Sequence, residues 1–370
     1  MPVLKLLFVV GSRPQFPKVA AVARAIAKHN ASGDATQIEH CLVHTGQHYD
    51  DSMNDVFFRE LELRKPDFNL EVGSGSIGYQ TGASIERIYD TLGTWVPDWV
   101  VVFGDTNATL AGGIAAQQRH LRLAHVEAGI RTGNLHQAEE LNRVIVDRIA
   151  DLRFSATAAT LNNLWDENLS ANSFFVGDTM LDNYMHFLPK REMGFAASIG
   201  LKPGHYIYST IHRAENTDYP ERLGAIIDTL IAVNNEMMPV VIPLHPRTRA
   251  AIERLGRTGE LEEAGVKVID PIGFNRSQSL VEDCYLVYSD SGGLLREACF
   301  SGHFCVIPWE YTTFPEINEV GMANCGRVVK DEMLKRLFDA PGPQDRESIT
   351  NFGNGTAGEQ IVAKFVELIG

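Results

Sequence analysis

The chain has 370 residues and a formal charge of −14, too long for one ordinary domain of roughly 100 to 200 residues and too acidic for nonspecific adhesion to nucleic acid or anionic lipid. Hydrophobic residues make up 44% and charged residues 22%, the proportions of a globular enzyme, and no apolar stretch approaches the roughly 20 residues of a membrane span. Two domains, no membrane segment and no nucleic-acid partner are therefore expected.

The first element, LKLLFVV at 4–10, reads as a buried strand rather than a leader peptide, because its lone Lys5 sits inside a short apolar run that leads directly into a loop and a helix pattern. Further apolar, β-branched runs follow at 39–44, 98–103, 121–126, 151–156 and 173–177, separated by helical patterns. That alternation predicts βαβ units around a parallel sheet. The segment 187–204 is rich in Pro, Gly and basic residues, so a domain boundary is expected near 190. The pattern then restarts with strands at 205–211, 238–244, 266–270, 285–290 and 303–308. This gives domains at 1–190 and 191–355, with a final helix at 356–370 whose apolar residues Ile361, Val362, Phe365, Val366 and Ile369 fall at helical spacing.

The five cysteines are odd in number and scattered, with no C-x-x-C, which suits a reducing compartment. His44 and His48 are spaced i, i+4 but lack a third ligand nearby, so no metal site is predicted. Gly73 to Gly78 fits G-x-G-x-x-G but does not follow the first buried strand, which argues against dinucleotide binding and for a Gly/Ser loop.

In open α/β sheets ligands collect beyond the carboxyl ends of the strands. After the first strand comes GSRPQFPK, where Arg13 and Lys18 flank a helix start able to attract phosphate. Asp105 and Glu127 end neighbouring strands, so two carboxylates at one rim could divide into proton donor and acceptor. Alternatively Asp105 caps the next helix and Glu127 pairs with Arg131. Glu139 and Glu140 sit at a helix start, where acids are ordinary dipole partners. In the second half His212 and Arg213 end one strand, and Ser291, Gly292 and Gly293 open a helix after another, leaving backbone N–H groups for a phosphate oxygen. Glu297, one turn in, could accept from ribose hydroxyls.

Ten strings, among them GSRPQFPK, HTGQHYDDSMNDVFF, GDTNATLAGGIAA, HVEAGIRTGN, EELNRVIVDRIADLRFSAT, TIHRAEN, LHPRTR and SDSGGLLREA, resemble in order those of the non-hydrolysing UDP-N-acetylglucosamine 2-epimerases. The resemblance implies the GT-B fold: two Rossmann-like domains with parallel sheets, an interdomain cleft, and the last helix crossing back to the first domain. It also implies a cytoplasmic homodimer acting on a UDP-sugar without a redox cofactor, by eliminating UDP across C1–C2 and adding it back after protonating the other face of C2. By the matching motifs Asp105, Glu127 and Glu139 correspond to the catalytic carboxylates and His212 to the group assisting the leaving diphosphate. Arg13, Ser291, Gly292 and Gly293 correspond to diphosphate contacts, Glu297 to the ribose contact, and Lys18 and Arg143 to the sugar-side pocket.

Two departures bear on substrate. The first loop has Gln15 where the family has Glu, and Phe314 stands where many members place a phosphate-binding arginine. Gln15, TGQHYDD and IHRAEN resemble the branch acting on UDP-2,3-diacetamido-2,3-dideoxy-glucuronate, whereas Arg131-Thr132-Gly133-Asn134 resembles the N-acetylglucosamine enzymes. The reading adopted is UDP-N-acetylglucosamine, with the uronate as alternative. Gln47 falls in a motif that resembles a second, substrate-activated site of some family members. A glycosyltransferase or a hydrolysing epimerase of the same fold, and a UDP-sugar sensor, are the remaining alternatives.

Overall fold

The computed structural model describes residues 3–46, 58–312, 314–346 and 349–368, apart from the side chain of Arg13. The chain divides into two compact units, Met1–Met185 with Asn351–Gly370, and His186–Thr350.

In the first unit, strands β1 (Val3–Val10), β2 (Gln37–His44), β3 (Phe68–Asn69), β4 (Trp99–Phe103), β5 (Arg122–Val126), β6 (Leu152–Ser155) and β7 (Ser173–Phe175) form one sheet in the order β3-β2-β1-β4-β5-β6-β7. Every pairing is parallel. Strands buried on both faces need continuous apolar runs rather than alternation, and β4 supplies one, with all five residues buried. Chain order reverses between β1 and β4, which makes the ends of these strands the switch point where ligands bind in such sheets.

The helix Asn107–Gln118 can lie close on this sheet because it is built from small residues. A Cβ on Gly112 would sit 2.8 Å from Val102 Cγ1 and 3.2 Å from Val9, so the glycine sets the helix–sheet distance. Val9, Val102, Ala108, Ala111, Ala115 and Val146 belong to the resulting core. The helix Ala357–Glu367 completes the unit: its Gly358 lies so near the helix Phe16–Ala31 that a Cβ would meet Ala21 O at 2.7 Å. Its Phe365 ring packs edge-on against Trp99 and Phe154, with centroids 5.5 and 5.7 Å away.

The second unit repeats the plan. Strands β8 (Ile207–Thr210), β9 (Val240–Pro243), β10 (Lys267–Ile269), β11 (Leu286–Ser289), β12 (Cys305–Ile307) and β13 (Ala323–Cys325) pair in the order β10-β9-β8-β11-β12-β13, all parallel. Here the order reverses between β8 and β11. Two strands, β3 and β13, have no counterpart in the sequence reading. Two and three residues long, they are edge strands too short to show a period. The Gly73–Gly78 segment runs into the first turn of the helix Ile77–Thr94, and Ser76 caps that helix by accepting from Tyr79 N at 3.3 Å. A Cβ on Gly73 or Gly78 would meet nothing within 4 Å.

Among the described residues no helix is long and apolar enough to cross a membrane.

Candidate active site

In the first unit the loops after β1, β4 and β5 bring two acids and two cations to the sheet's carboxyl edge. Lys18, on the helix Phe16–Ala31, holds Glu127 through Nζ to Oε1 at 2.7 Å, with both side chains at 6% exposure or less. Glycine is required at 104: φ is +63°, and a Cβ would lie 2.6 Å from Lys18 Nζ. Glu127 is itself left-handed, with φ of 70°, an uncommon state for a residue with a Cβ. Its N–H and that of Ala128 both donate to Phe154 O at 3.0 Å, which holds the turn. Such strain, of about 1 kcal/mol or more, persists where surrounding contacts over-determine it, and it clusters at functional sites.

The carboxylate of Asp105 is ion-paired with Arg143, and its main-chain carbonyl accepts from Asn142 Nδ2 at 2.9 Å. Burial pulls the Arg143 guanidinium down, yet Asp105 and Glu140 together hold it above the usual arginine range. Glu140 accepts from Thr132 N and Gly133 N, each at 2.9 Å, and pairs with Arg143 at 3.2 Å. Burial opposes its charge, but those bonds and Arg143 leave its carboxyl below the usual range. Glu139, on the same first turn of the helix Ala138–Ile149, is exposed.

Several alternatives from the sequence are thereby settled. Thr106, not Asp105, caps the helix that follows β4. Glu127 pairs with Lys18, while Arg131 pairs with Asp147 and Glu167 at 2.7 and 2.6 Å. The string Arg131-Thr132-Gly133 is thus occupied in shaping its own loop. Gln15 is buried and does likewise: its Oε1 accepts from Gly11 N at 2.8 Å, and its Nε2 donates to Phe103 O at 2.8 Å. The Arg13 side chain, Gln47 and His48 lie outside the described residues. His44 is buried, and its Nδ1 accepts from Gly46 N at 3.1 Å.

In the second unit the loop after β8 is organised by Asp290, which immediately follows β11. Its carboxylate accepts from His212 N at 3.0 Å, from Arg213 N at 3.0 Å and from Asn216 Nδ2 at 3.0 Å, and it lies 3.1 Å from His212 Nδ1. Burial alone would raise this carboxyl; the His212 contact, then Asn216 and Arg213 N, keep it below the usual range. About half of the His212 side chain remains exposed, at 48%, so Asp290 orients an imidazole that still faces solvent.

Beside it, Ser291 caps the helix Gly292–Phe300, accepting from Leu294 N at 3.3 Å. Arg213, Asp290, Ser291, Gly292, Trp309 and Thr312 line a pocket at this helix start. Arg213 donates from Nε to Asp290 O at 2.6 Å, and its guanidinium lies 3.6 Å from the Trp309 ring centroid. Glu297 is buried on the same helix, and burial pushes its carboxyl up to about 7, with Arg296 opposing. Phe314 is buried under the Arg296 guanidinium, 4.5 Å from the ring centroid, while Arg247 pairs with Asp218 at 3.0 Å on the surface.

Sequence reading missed Asp290 as the partner of His212, and Glu140, Asn142, His125 and Asp147 as groups behind Asp105 and Glu127. Glu140 and Arg143 are spaced i, i+3 on one helix, a legible signal. The others depend on contacts far apart in sequence. Among the described residues no cluster of three or more His, Cys, Asp or Glu could hold a metal ion.

Residues 30–366 match the family model described as UDP-N-acetylglucosamine 2-epimerase. The chain belongs to this family. The UDP-2,3-diacetamido-2,3-dideoxy-D-glucuronate 2-epimerase of Pseudomonas aeruginosa is 36% identical over 99% of this chain and 100% of that protein. A UDP-N-acetylglucosamine 2-epimerase of Methanocaldococcus jannaschii is 34% identical over 97% of this chain and 98% of that protein. The crystal structure of the M. jannaschii enzyme in complex with UDP-GlcNAc and UDP superposes with a TM-score of 0.88, at 33% identity and 99% coverage of both chains. The epimerase family places the chain among the UDP-sugar 2-epimerases, which are isomerases, and its fold is GT-B.

Proposed function

We propose that this epimerase interconverts UDP-N-acetylglucosamine and UDP-N-acetylmannosamine by eliminating UDP and adding it back. The observation that carries the reading is the acid set of the first unit: Asp105 and Glu127 follow adjacent strands, each held by a buried cation, Arg143 and Lys18. A base removes the C2 proton, the C1–O bond breaks, and UDP leaves with that bonding pair, giving 2-acetamidoglucal. An acid then delivers a proton to the opposite face of C2, and a UDP oxygen bonds C1 again. His212, oriented by buried Asp290, assists the departing diphosphate, and the second unit binds UDP through Ser291, Gly292, Gly293 and Glu297. Arg13 adds a diphosphate contact from the first unit, and Glu139 the third acid.

Proton NMR in D2O tests this directly. Solvent deuterium should enter C2 of both epimers without added metal or nicotinamide, and turnover with the original C2 proton retained would overturn the mechanism.

The relative from P. aeruginosa at 36% identity favours a second reading, UDP-2,3-diacetamido-2,3-dideoxy-glucuronate as substrate. A C6 carboxylate would need a local cation, because a buried uncompensated charge is costly. Arg247 is engaged with Asp218 and Arg213 with Asp290 O and Trp309, which supports the neutral sugar. Comparing kcat/KM for the two sugars decides, and a tenfold preference for the uronate reverses the assignment.

The five cysteines are all free thiols, which supports a reducing cytoplasm. There a homodimer would supply an epimerised amino sugar for polysaccharide biosynthesis.

A further inference from the structure

Behind the acid-bearing rim lies a buried polar cluster that the proposed chemistry does not use. His125 and Asp147 have no exposed side-chain surface. His125, next to last in β5, places Nε2 2.7 Å from Gly104 O and Nδ1 2.6 Å from Asp147 Oδ1. The other carboxylate oxygen of Asp147 accepts from Gly129 N at 3.0 Å and from Arg131 Nη1 at 2.7 Å. One side chain thus reaches the turn before Asp105, and its partner reaches the turn after Glu127.

These turns lie where the sheet stops holding the backbone. The β4–β5 ladder ends with Phe103 opposite Val126, followed by one bond from Gly104 N to Val126 O at 2.9 Å. Immediately beyond it both chains turn left-handed, at Gly104 with φ of 63° and at Glu127 with φ of 70°. The helix Ala138–Ile149 braces both turns from one face. Arg143 pairs with the Asp105 carboxylate, and Asp147, four residues on and therefore on the same face, holds the His125 ring and Gly129 N.

We propose that His125 is a positioning residue for epimerisation: its imidazole bridges Gly104 O and Asp147, fixing the Asp105 turn against the Glu127 turn. The inference rests on the assignment of the proton chemistry to these two acids. The residue type follows from the geometry. Both neighbours lie at opposite ends of a short side chain, and the two ring nitrogens of an imidazole reach both at once. A glutamine at this position donates from one end only and presents an oxygen to an acceptor at the other. Burial opposes the Asp147 charge, but His125 first and then Arg131 hold its carboxyl below the usual range, so it stays an acceptor. Two acids on opposite faces of one carbon must keep their separation, and a misplacement of about 1 Å can cost roughly 10²-fold in rate.

His125→Gln and Asp147→Asn in the full chain test this. The readouts are kcat per calorimetrically titrated UDP site, the rate of deuterium entry at C2, and the dissociation constant for UDP. Each variant should lose about ten-fold to 10²-fold in kcat and in deuterium entry, with UDP affinity within about two-fold of wild type. A merely structural role would reduce the number of titratable sites without changing the rate per site. The double variant should be no slower than the slower single, because the two residues form one bridge. A rate per site within about two-fold of wild type in a folded single variant overturns the proposal, as does a double variant in which the two losses multiply. Should His125→Gln fail to fold, the nearly isosteric Asp147→Asn decides by the same rate-per-site criterion. Wild-type protein that exchanges no C2 proton overturns the functional reading instead of the bridge.

Discussion

Lys18 and Glu127 form an ion pair at 2.7 Å with both side chains buried, and removing one partner of such a pair is far more damaging than the pair is stabilising. Lys18→Met should therefore lower stability by about 3 kcal/mol, measured by urea unfolding, while Lys18→Met combined with Glu127→Gln recovers part of that loss. An additive double variant would show that the two charges do not depend on one another. For catalysis, Asp105→Asn, Glu127→Gln and Glu139→Gln should each lower kcat by roughly 10²-fold with little change in UDP affinity. Glu139 is the most exposed of the three, and near-normal kcat in its variant would leave it a helix-dipole partner.

Glu297 gives a pH-dependent outcome whose sign follows from its environment. Burial raises its carboxyl from 4.5 to about 7, so the folded state prefers the neutral form. The associated stability is complete below the unfolded value and is lost as pH rises through 7. Glu297→Gln removes that loss. The variant should be more stable than wild type at pH 8, by up to about 3 kcal/mol for a shift of this size, and the difference should vanish toward pH 4. Parallel melting curves for the two proteins across that range would contradict this.

At the level of elements, glycines at positive φ separate into two kinds. Gly129 has φ of 86°, and a Cβ there would lie 2.1 Å from Thr160 O, whereas Gly133, at 73°, has nothing within 4 Å. Gly133→Ala should cost only the left-handed strain, about 1 to 2 kcal/mol. Gly129→Ala should cost clearly more, because backbone of the helix Ala158–Asp166 must move. Equal chemical-denaturation midpoints for the two variants would refute the distinction. The same contrast explains what was legible in the sequence. Strands such as β4, apolar at every position, announce themselves; β3 and β13 take their strand character from a neighbour's edge and carry no periodic signal. The helix start at Gly292 was legible because Ser-Gly-Gly after a strand has a local physical meaning. That Arg131 serves Asp147 and Glu167 rather than a substrate was not, since Glu167 lies on an element that the sequence does not place beside it.

Taken as a whole, the molecule carries a charge of −14 and yet is assigned an anionic ligand, so recognition must rest on local donors such as Ser291 and the free N–H groups of its helix. The parallel sheets and the loops at their carboxyl ends, with Asp105 and His212, were legible from alternating strands and helices, whereas the switch points at β1/β4 and β8/β11 depend on a strand order that alternation does not give. The buried partners behind those residues were not legible either, because His125–Asp147 and His212–Asp290 unite positions far apart in the chain. Saturating UDP offers a test at this scale: at about 100 times its dissociation constant it should stabilise the protein by about 2.7 kcal/mol, and no shift in melting temperature would remove UDP as a ligand.

The first unit takes both its opening strands and its closing helix from opposite ends of the chain. On the ribosome, residues 1–185 emerge first but must wait for residues 351–370 before Phe365 can cover Trp99 and Phe154. The second unit, continuous from 186 to 350, emerges in full during that wait. Vectorial synthesis therefore leaves an aromatic strip of the first unit uncovered until residues 351–370 have left the ribosome, so a stalled nascent chain ending at residue 350 should engage chaperones where a released chain of residues 1–370 does not.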